Sequence, residues 1–259
     1  MNSFEEIKKV ARLLKDAKSI LFITGAGISA DSGLPTYRGL GGLYENDQTE
    51  DGIPIEMALA GETLRRKPEI TWKYLSQIEK RCREAKHNRA HEILSEIERR
   101  FERVWILTQN IDGFHRAAGS RNVIDIHGDM HGIRCEGCGW NSRVATYECL
   151  SIPPYCPKCG SVARPDVVFF GEMLQSHQVD LMEREVGQPF DIYFSIGTTS
   201  VFPYIKHPMA LASHLQRPTV EINPSKTEIS GWVDIKIALG AAEALEAIWK
   251  EYGASSQVA

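Results

Sequence analysis

Six short runs of the chain are rich in β-branched or apolar residues, most of them at nearly every position: Ser19–Thr24, Val104–Thr108, Val123–Ile126, Asp191–Ile196, Pro218–Ile222 and Val233–Ile237. Such runs suit parallel strands covered on both faces, because a strand with one wet face alternates apolar and polar residues. Between them, apolar residues recur at helical spacing over roughly 4–17, 68–84, 87–100, 174–186, 204–215 and 240–252. Strands alternating with helices predict an α/β domain, a doubly wound parallel sheet with its ligand crevice at the carboxyl ends of the strands.

Two stretches break the alternation. Residues 36–66 pass from a glycine-rich loop, Arg38-Gly-Leu-Gly-Gly42, through an acidic segment into a helical stretch. Residues 133–164 hold five of the six cysteines, four of them in two CxxC pairs, among scattered Gly and Pro. The expected organisation is a sheet domain made of 1–35, 86–132 and 165–253, a cofactor-loop and helical insert at 36–85, and a small metal-bearing module at 133–164. Residues 254–259 read as a disordered tail.

Composition changes this picture little. A chain of 259 residues with 42% hydrophobic and 25% charged positions can bury the core of one large domain with inserts. A net charge of −4 carries no basic footprint, so nucleic acid is not an expected partner. The charged, amphipathic N-terminus lacks the apolar centre of a signal peptide, and no apolar run approaches the ~18 residues of a membrane span. Six cysteines without an export signal point to a reducing compartment, so a cytoplasmic location is expected.

Cys135-x-x-Cys138, seventeen intervening residues and Cys156-x-x-Cys159 have the spacing of two zinc knuckles. Four thiolates at about 2.3 Å close a tetrahedron around one ion and leave no open position, which makes the zinc structural. A redox pair would need a thioredoxin-like setting that the surrounding sequence lacks. Cys82 and Cys149 stand outside the scheme.

The first strand runs into Gly25-Ala-Gly-Ile-Ser-Ala30, a GxGxx(G/A) turn of the kind that lets a Rossmann-like backbone approach a pyrophosphate. A dehydrogenase would add a second strand ending in an acid about 20 residues on. That region here, Gly39–Asp51, is glycine-rich and acidic, so hydride transfer is disfavoured.

Read onward, Gly25-Ala-Gly-Ile-Ser-Ala-Asp-Ser-Gly-Leu-Pro-Thr-Tyr-Arg38 resembles the opening signature of the sirtuins. The same family is resembled by Thr108-Gln-Asn-Ile-Asp112, His127-Gly128, the four cysteines, Arg164-Pro-Asp-Val-Val-Phe-Phe-Gly-Glu172, Gly197-Thr-Thr-Ser200 and Glu221-Ile-Asn223. The resemblance implies a Rossmann-like domain with a small zinc-ribbon-type module and a helical cofactor-loop insert. It also implies an enzyme that consumes NAD⁺ to remove acyl groups from lysine side chains, giving free lysine, nicotinamide and O-acyl-ADP-ribose. Mono-ADP-ribosyl transfer would use the same NAD pocket, and removal of long acyl chains is a further alternative; both stay open at this point. The expected partners are acylated-lysine proteins or peptides, met by a monomer.

Residue roles follow by the same resemblance. His127 is the base, with Asn110 and Asp112 beside it; an imidazole pKa near 6.5 lets it take a proton at neutral pH. Ala26, Ile28, Pro35 and Tyr37 would line the nicotinamide pocket, Gln109 would contact the nicotinamide ribose, and Gly25, Gly27, Ser29 and Ile111 belong to the same cofactor site. Arg38, Gly197, Thr198, Ser200 and Asn223 would hold phosphate and the adenosine ribose. Val168, Phe170, Gly171, Glu172 and Val201 would bind the peptide by adding it as a strand, with Glu172 favouring basic residues beside the target lysine. Family members that remove succinyl or malonyl groups carry Tyr-x-x-Arg on a helix, and the matching positions here are Leu75 and Ile78. An aliphatic pair offers a carboxylate no partner, so neutral acyl groups, acetyl first, are expected.

Overall fold

A computed structural model of the chain describes residues 3–35 and 49–256. The amphipathic first segment forms α1 (Ser3–Asp16), which buries Ile7, Val10, Ala11 and Leu14 and leads into β1 (Ser19–Thr24). The insert supplies α2 (Ile55–Ala58), α3 (Gly61–Arg66) and α4 (Pro68–Glu84), the last opened by a proline whose missing N–H costs nothing in the first turn. A capping box starts α5 (Arg89–Arg100): Asn88 accepts from the Ala90 N–H while the Asn88 N–H donates to His91 Nδ1. The Asn88 amide also donates to the Ile28 carbonyl at 2.8 Å, tying this helix to the glycine turn.

The chain continues through β2 (Arg103–Thr108), α6 (Phe114–Ala117) and β3 (Val123–Asp125). Next come β4 (Gly128–Arg134), β5 (Asn141–Arg143) and β6 (Arg164–Val167). It closes with α7 (Ser176–Val186), β7 (Ile192–Ile196), α8 (Pro203–His214), β8 (Thr219–Ile222), β9 (Ile235–Ile237) and α9 (Ala241–Ser256).

Six strands pair in the order β3-β2-β1-β7-β8-β9, parallel at every junction. The strand order reverses between β1 and β7, so the loops leaving Thr24 and Ile196 diverge and open a crevice there. Alternate residues of each strand serve the two faces. Ile20, Phe22, Ile106 and Phe194 pack under α1, α5 and α9; Leu21, Ile23, Leu107 and Tyr193 pack with Val186, Ile205 and Met209 of α7 and α8.

A second core lies off this sheet. Trp72, Leu75, Met130, Ile133, Tyr147, Ala163 and Phe169 are buried together, so the helical insert and the cysteine module form one lobe. Trp72 stands against Tyr147, ring centroids 5.3 Å apart, and its indole N–H donates to the Ala163 carbonyl at 3.1 Å. Antiparallel β5-β4-β6 is the frame of that lobe.

Two boundaries differ from the sequence expectation. The antiparallel sheet begins at Gly128 rather than at 133. Gly128 has φ +83°, and a Cβ there would clash with the Asp166 carbonyl, so the backbone approach of β6 at this point requires glycine. At the other end, residues 254–256 continue α9 instead of fraying, because Leu245, Ile248 and Tyr252 anchor the helix in the main core.

Candidate active site

The crevice floor is a row of hydroxyls at the strand ends. The Thr24 hydroxyl donates to Thr108 Oγ1 at 2.8 Å, and His115 Nε2 lies 2.9 Å from the same Thr24 oxygen. Above it, the Gly25 N–H donates to the Ile196 carbonyl and the Gly27 N–H to the Gly197 carbonyl at 2.8 Å. A Cβ on Gly27 would come within 2.6 Å of Gly197 Cα. Gly27 is therefore demanded by contact between two protein backbones at the switch point. Ile28 departs from its expected place on the nicotinamide wall: it is fully buried in the main core under α5 and α9, since the turn rotates its side chain inward.

Ala26, Ser29, Pro35, Asn110, Ile111 and Asp112 line one cavity, joined by Ile78, Arg81, Cys82 and Met130 from the second lobe. Asp112 is buried, with Oδ1 accepting from the Phe114 N–H at 2.9 Å and Oδ2 from the Ser29 hydroxyl at 2.8 Å. Burial pushes its carboxyl pKa up, against the pull of those two hydrogen bonds. A carboxylate has about four acceptor positions, so capacity remains for an incoming N–H. The Asn110 amide donates to the Gly25 carbonyl at 3.2 Å and to Ser29 Oγ at 3.3 Å, which locks the acid, the amide and the glycine turn together.

His127 is linked to that cavity through Gln109. Its Nδ1 lies 3.0 Å from the Gln109 carbonyl, and the Gln109 side-chain amide donates to Thr198 Oγ1 at 2.7 Å. A carbonyl only accepts, so Nδ1 carries the proton and Nε2 presents the lone pair. Burial lowers the His127 pKa, partly offset by the Gln109 hydrogen bond, and the imidazole is held neutral. Nε2 meets the Tyr204 hydroxyl at 2.7 Å, a partner with no signal in the sequence beyond its place just after Pro203.

In the loops after β7 and β8, the Asn223 amide donates to the Thr198 carbonyl at 3.2 Å. Ser200 adopts φ +55°, a left-handed conformation uncommon outside glycine, and its N–H donates to Thr198 Oγ1 at 3.1 Å. Gly197, Thr198, Ser200 and Asn223 thus form one hydrogen-bonded loop system beside the glycine turn. Tyr37 and Arg38 lie outside the described residues.

In the segment after β6, where peptide is expected, the Val168 N–H donates to the His127 carbonyl at 2.9 Å. Phe170 exchanges backbone bonds with Leu59 and Gly61, and Gly171 takes φ +79°. Val201 and Phe202 are exposed, at 41% and 36%. Glu172 departs from its expected role: both carboxylate oxygens are gripped by Arg164, at 2.9 and 2.7 Å, and one also accepts from the Phe169 N–H. A buried guanidinium claims the acid before any basic peptide residue can. Leu75 likewise turns away, 1% exposed in the lobe core, leaving Ile78 and, one turn on, Arg81 to face the cavity. Cys82 is a packing residue whose thiol pKa burial pushes up to about 12.

The four module cysteines converge. Their sulfurs all lie within 4.8 Å of one another, with Cys135–Cys159 at 3.5 Å and Cys138–Cys156 at 3.6 Å. A tetrahedron with 2.3 Å arms has sulfur–sulfur edges of about 3.8 Å, so this donor set fits one zinc ion.

A parallel sheet whose switch point is walled by a buried acid and amide, with a neutral imidazole alongside, is the architecture of a dinucleotide-using α/β enzyme. The family model described as Sir2 family matches residues 25–203. The NAD-dependent protein deacylase 2 of Pseudomonas aeruginosa is 47% identical over 240 residues, covering 92% of this chain and 93% of that one. A solved Sir2 homolog–NAD complex superimposes with a TM-score of 0.84 at 33% identity, covering 95% of this chain and 94% of that one. A mutant Sir2 homologue in complex with 2'-O-acetyl ADP ribose gives a TM-score of 0.84 at 32% identity, covering 97% of each chain. The chain belongs to the Sir2 family.

Proposed function

We propose that the protein is an NAD-dependent protein deacylase that frees lysine side chains of neutral acyl groups, acetyl first. When bound, NAD⁺ supplies an activated ribose carbon and a nicotinamide leaving group, and it is consumed as O-acyl-ADP-ribose. One observation carries the reading: an imidazole fixed in the Nδ1–H tautomer by the Gln109 carbonyl, the residue before Asn110, which with the buried Asp112 lines the cavity.

Each side chain has work suited to its atoms. Asp112 accepts from the carboxamide of nicotinamide, using the lone pairs that Ser29 and Phe114 leave free. Asn110 orients the ribose or a water from its anchorage on Gly25. His127 takes the proton of a ribose hydroxyl at Nε2. The walls of Ala26, Pro35 and Ile111 exclude water from the reacting bond. Acylated peptide lies between the 168–172 segment and Val201, held by main-chain bonds. Zinc, held by Cys135, Cys138, Cys156 and Cys159, supplies structure only, since four thiolates leave it no open position. A cytoplasmic setting keeps those thiols reduced.

The test is incubation with NAD⁺ and matched acetyl-, succinyl- and myristoyl-lysine peptides, with products read by mass spectrometry. The expected products are free lysine, nicotinamide and O-acyl-ADP-ribose, with acetyl ahead of succinyl. ADP-ribose left covalently on protein in their place overturns deacylation. Faster succinyl turnover overturns the acyl preference and assigns Arg81 as the carboxylate's partner.

A further inference from the structure

We infer that Tyr204 is a positioning residue for His127 that occupies the base's lone pair until a ribose hydroxyl displaces it. The inference rests on His127 being the base. The Gln109 carbonyl fixes the proton on Nδ1, so the 2.7 Å contact between Nε2 and the Tyr204 hydroxyl has one possible polarity: the phenol donates and the imidazole accepts. That lone pair is the one a general base needs.

The ring is placed for this by its surroundings. Tyr204 is the second residue of α8, behind Pro203, and stacks on Phe202 with centroids 5.4 Å apart and planes 15° from parallel. Both rings meet His127 edge-on, at 83° and 84°. Phe202 and the adjoining Val201 are exposed on the side where peptide is expected. The aromatic pair therefore joins the peptide-binding loop to the base, and the phenol reproduces toward Nε2 the hydrogen bond that a ribose hydroxyl makes. Two donors cannot share one lone pair in the ring plane. Binding of the nucleotide must break the Tyr204 bond, and the free enzyme keeps its base oriented, neutral and occupied.

The experiment is a binding cycle with ADP-ribose, which has ribose hydroxyls but requires no chemistry. Kd is measured by calorimetry for the wild type, Tyr204→Phe, His127→Ala and the double variant. Loss of the competing bond tightens ADP-ribose binding by about threefold to tenfold in Tyr204→Phe, the range of one neutral hydrogen bond. That gain vanishes in the His127→Ala background, where no bond to Nε2 exists to be broken. In steady state, the Tyr204→Phe gain in kcat/KM for NAD⁺ falls on KM. Unchanged or weaker binding in Tyr204→Phe, or an equal gain in both backgrounds, overturns the inference. So does a fall in kcat, which would make the phenol a proton relay. Deacylation surviving in His127→Ala defeats the base assignment itself, a separate result.

Discussion

His127 and Asp112 are both buried titratable groups, and burial drives their pKa values in opposite directions because each resists charge. For the histidine the neutral form is the active one. A lowered pKa means that form persists below the ordinary value near 6.5 and is lost only as pH falls through the depressed one. The acid limb of kcat/KM, which reports the free enzyme, should accordingly lie below pH 6.5, and a limb centred above it contradicts the assigned environment. His127→Ala should cost at least about 100-fold in kcat while zinc content and the far-ultraviolet spectrum stay unchanged. Asp112→Asn exchanges an acceptor for a donor facing the Ser29 hydroxyl, and should weaken nicotinamide-dependent steps by about tenfold to a hundredfold. Nicotinamide inhibition measures this directly; an unaltered inhibition constant removes Asp112 from the pocket.

At the scale of elements, two contacts join parts that the sequence keeps apart. Arg164, at the start of β6, bonds Glu172 and Glu136 and so ties the cysteine knuckle to the 168–172 segment. Arg164→Ala leaves these acids without their cation and should destabilise the second lobe by about 3 kcal/mol in urea titration. Arg164→Met with Glu172→Leu should recover part of that loss; a double variant worse than the single one refutes the account. The other contact is the pair His91–His115, rings 5.0 Å apart between α5 and α6. Both are buried and neutral, His91 with its pKa lowered to about 4 by burial and His115 lowered for the same cause. The unfolded chain takes up these protons near pH 6.5 and the folded one only at much lower pH, so stability falls as pH drops from about 6.5 toward 4. His91→Gln should flatten that slope in thermal melts, and an equal slope in the variant would place its origin elsewhere.

For the whole molecule, the consequence of two cores is two kinds of fragility. The main sheet is buried between helices on both faces, whereas the second lobe depends on one set of side chains and the four thiolates. Chelation of zinc should expose the amides around Trp72, Tyr147 and β4 to hydrogen exchange and abolish deacylation, while β1 and β7 stay protected. Uniform exposure of both regions, or none, would show that the lobe is not held in this way. Among the described residues, no helix is long and apolar enough to cross a membrane.

All six main-sheet strands and the six longer helices were readable from side-chain periodicity, because it reports which faces each local segment must bury. The CxxC spacing likewise specified a four-sulfur site, since ligand reach is a local property. Antiparallel β4–β6 were not readable: in GDMHGIR the alternation is interrupted by a register shift between Asp129 and Ile133, and such short glycine-bearing runs become strands only through their partners. Nor could periodicity say that Ile28 turns inward, decide whether Leu75 faces the core or an acyl pocket, or say that Arg164 occupies Glu172 and that Tyr204 reaches His127. Those facts depend on residues distant in sequence meeting at a set distance, which only the packing of whole elements decides. The chain by itself thus determined which chemical groups are present and on which elements they ride. The tertiary structure decided which of them face one another across the switch point and which are already engaged, because hydrogen bonds and burial are properties of neighbours.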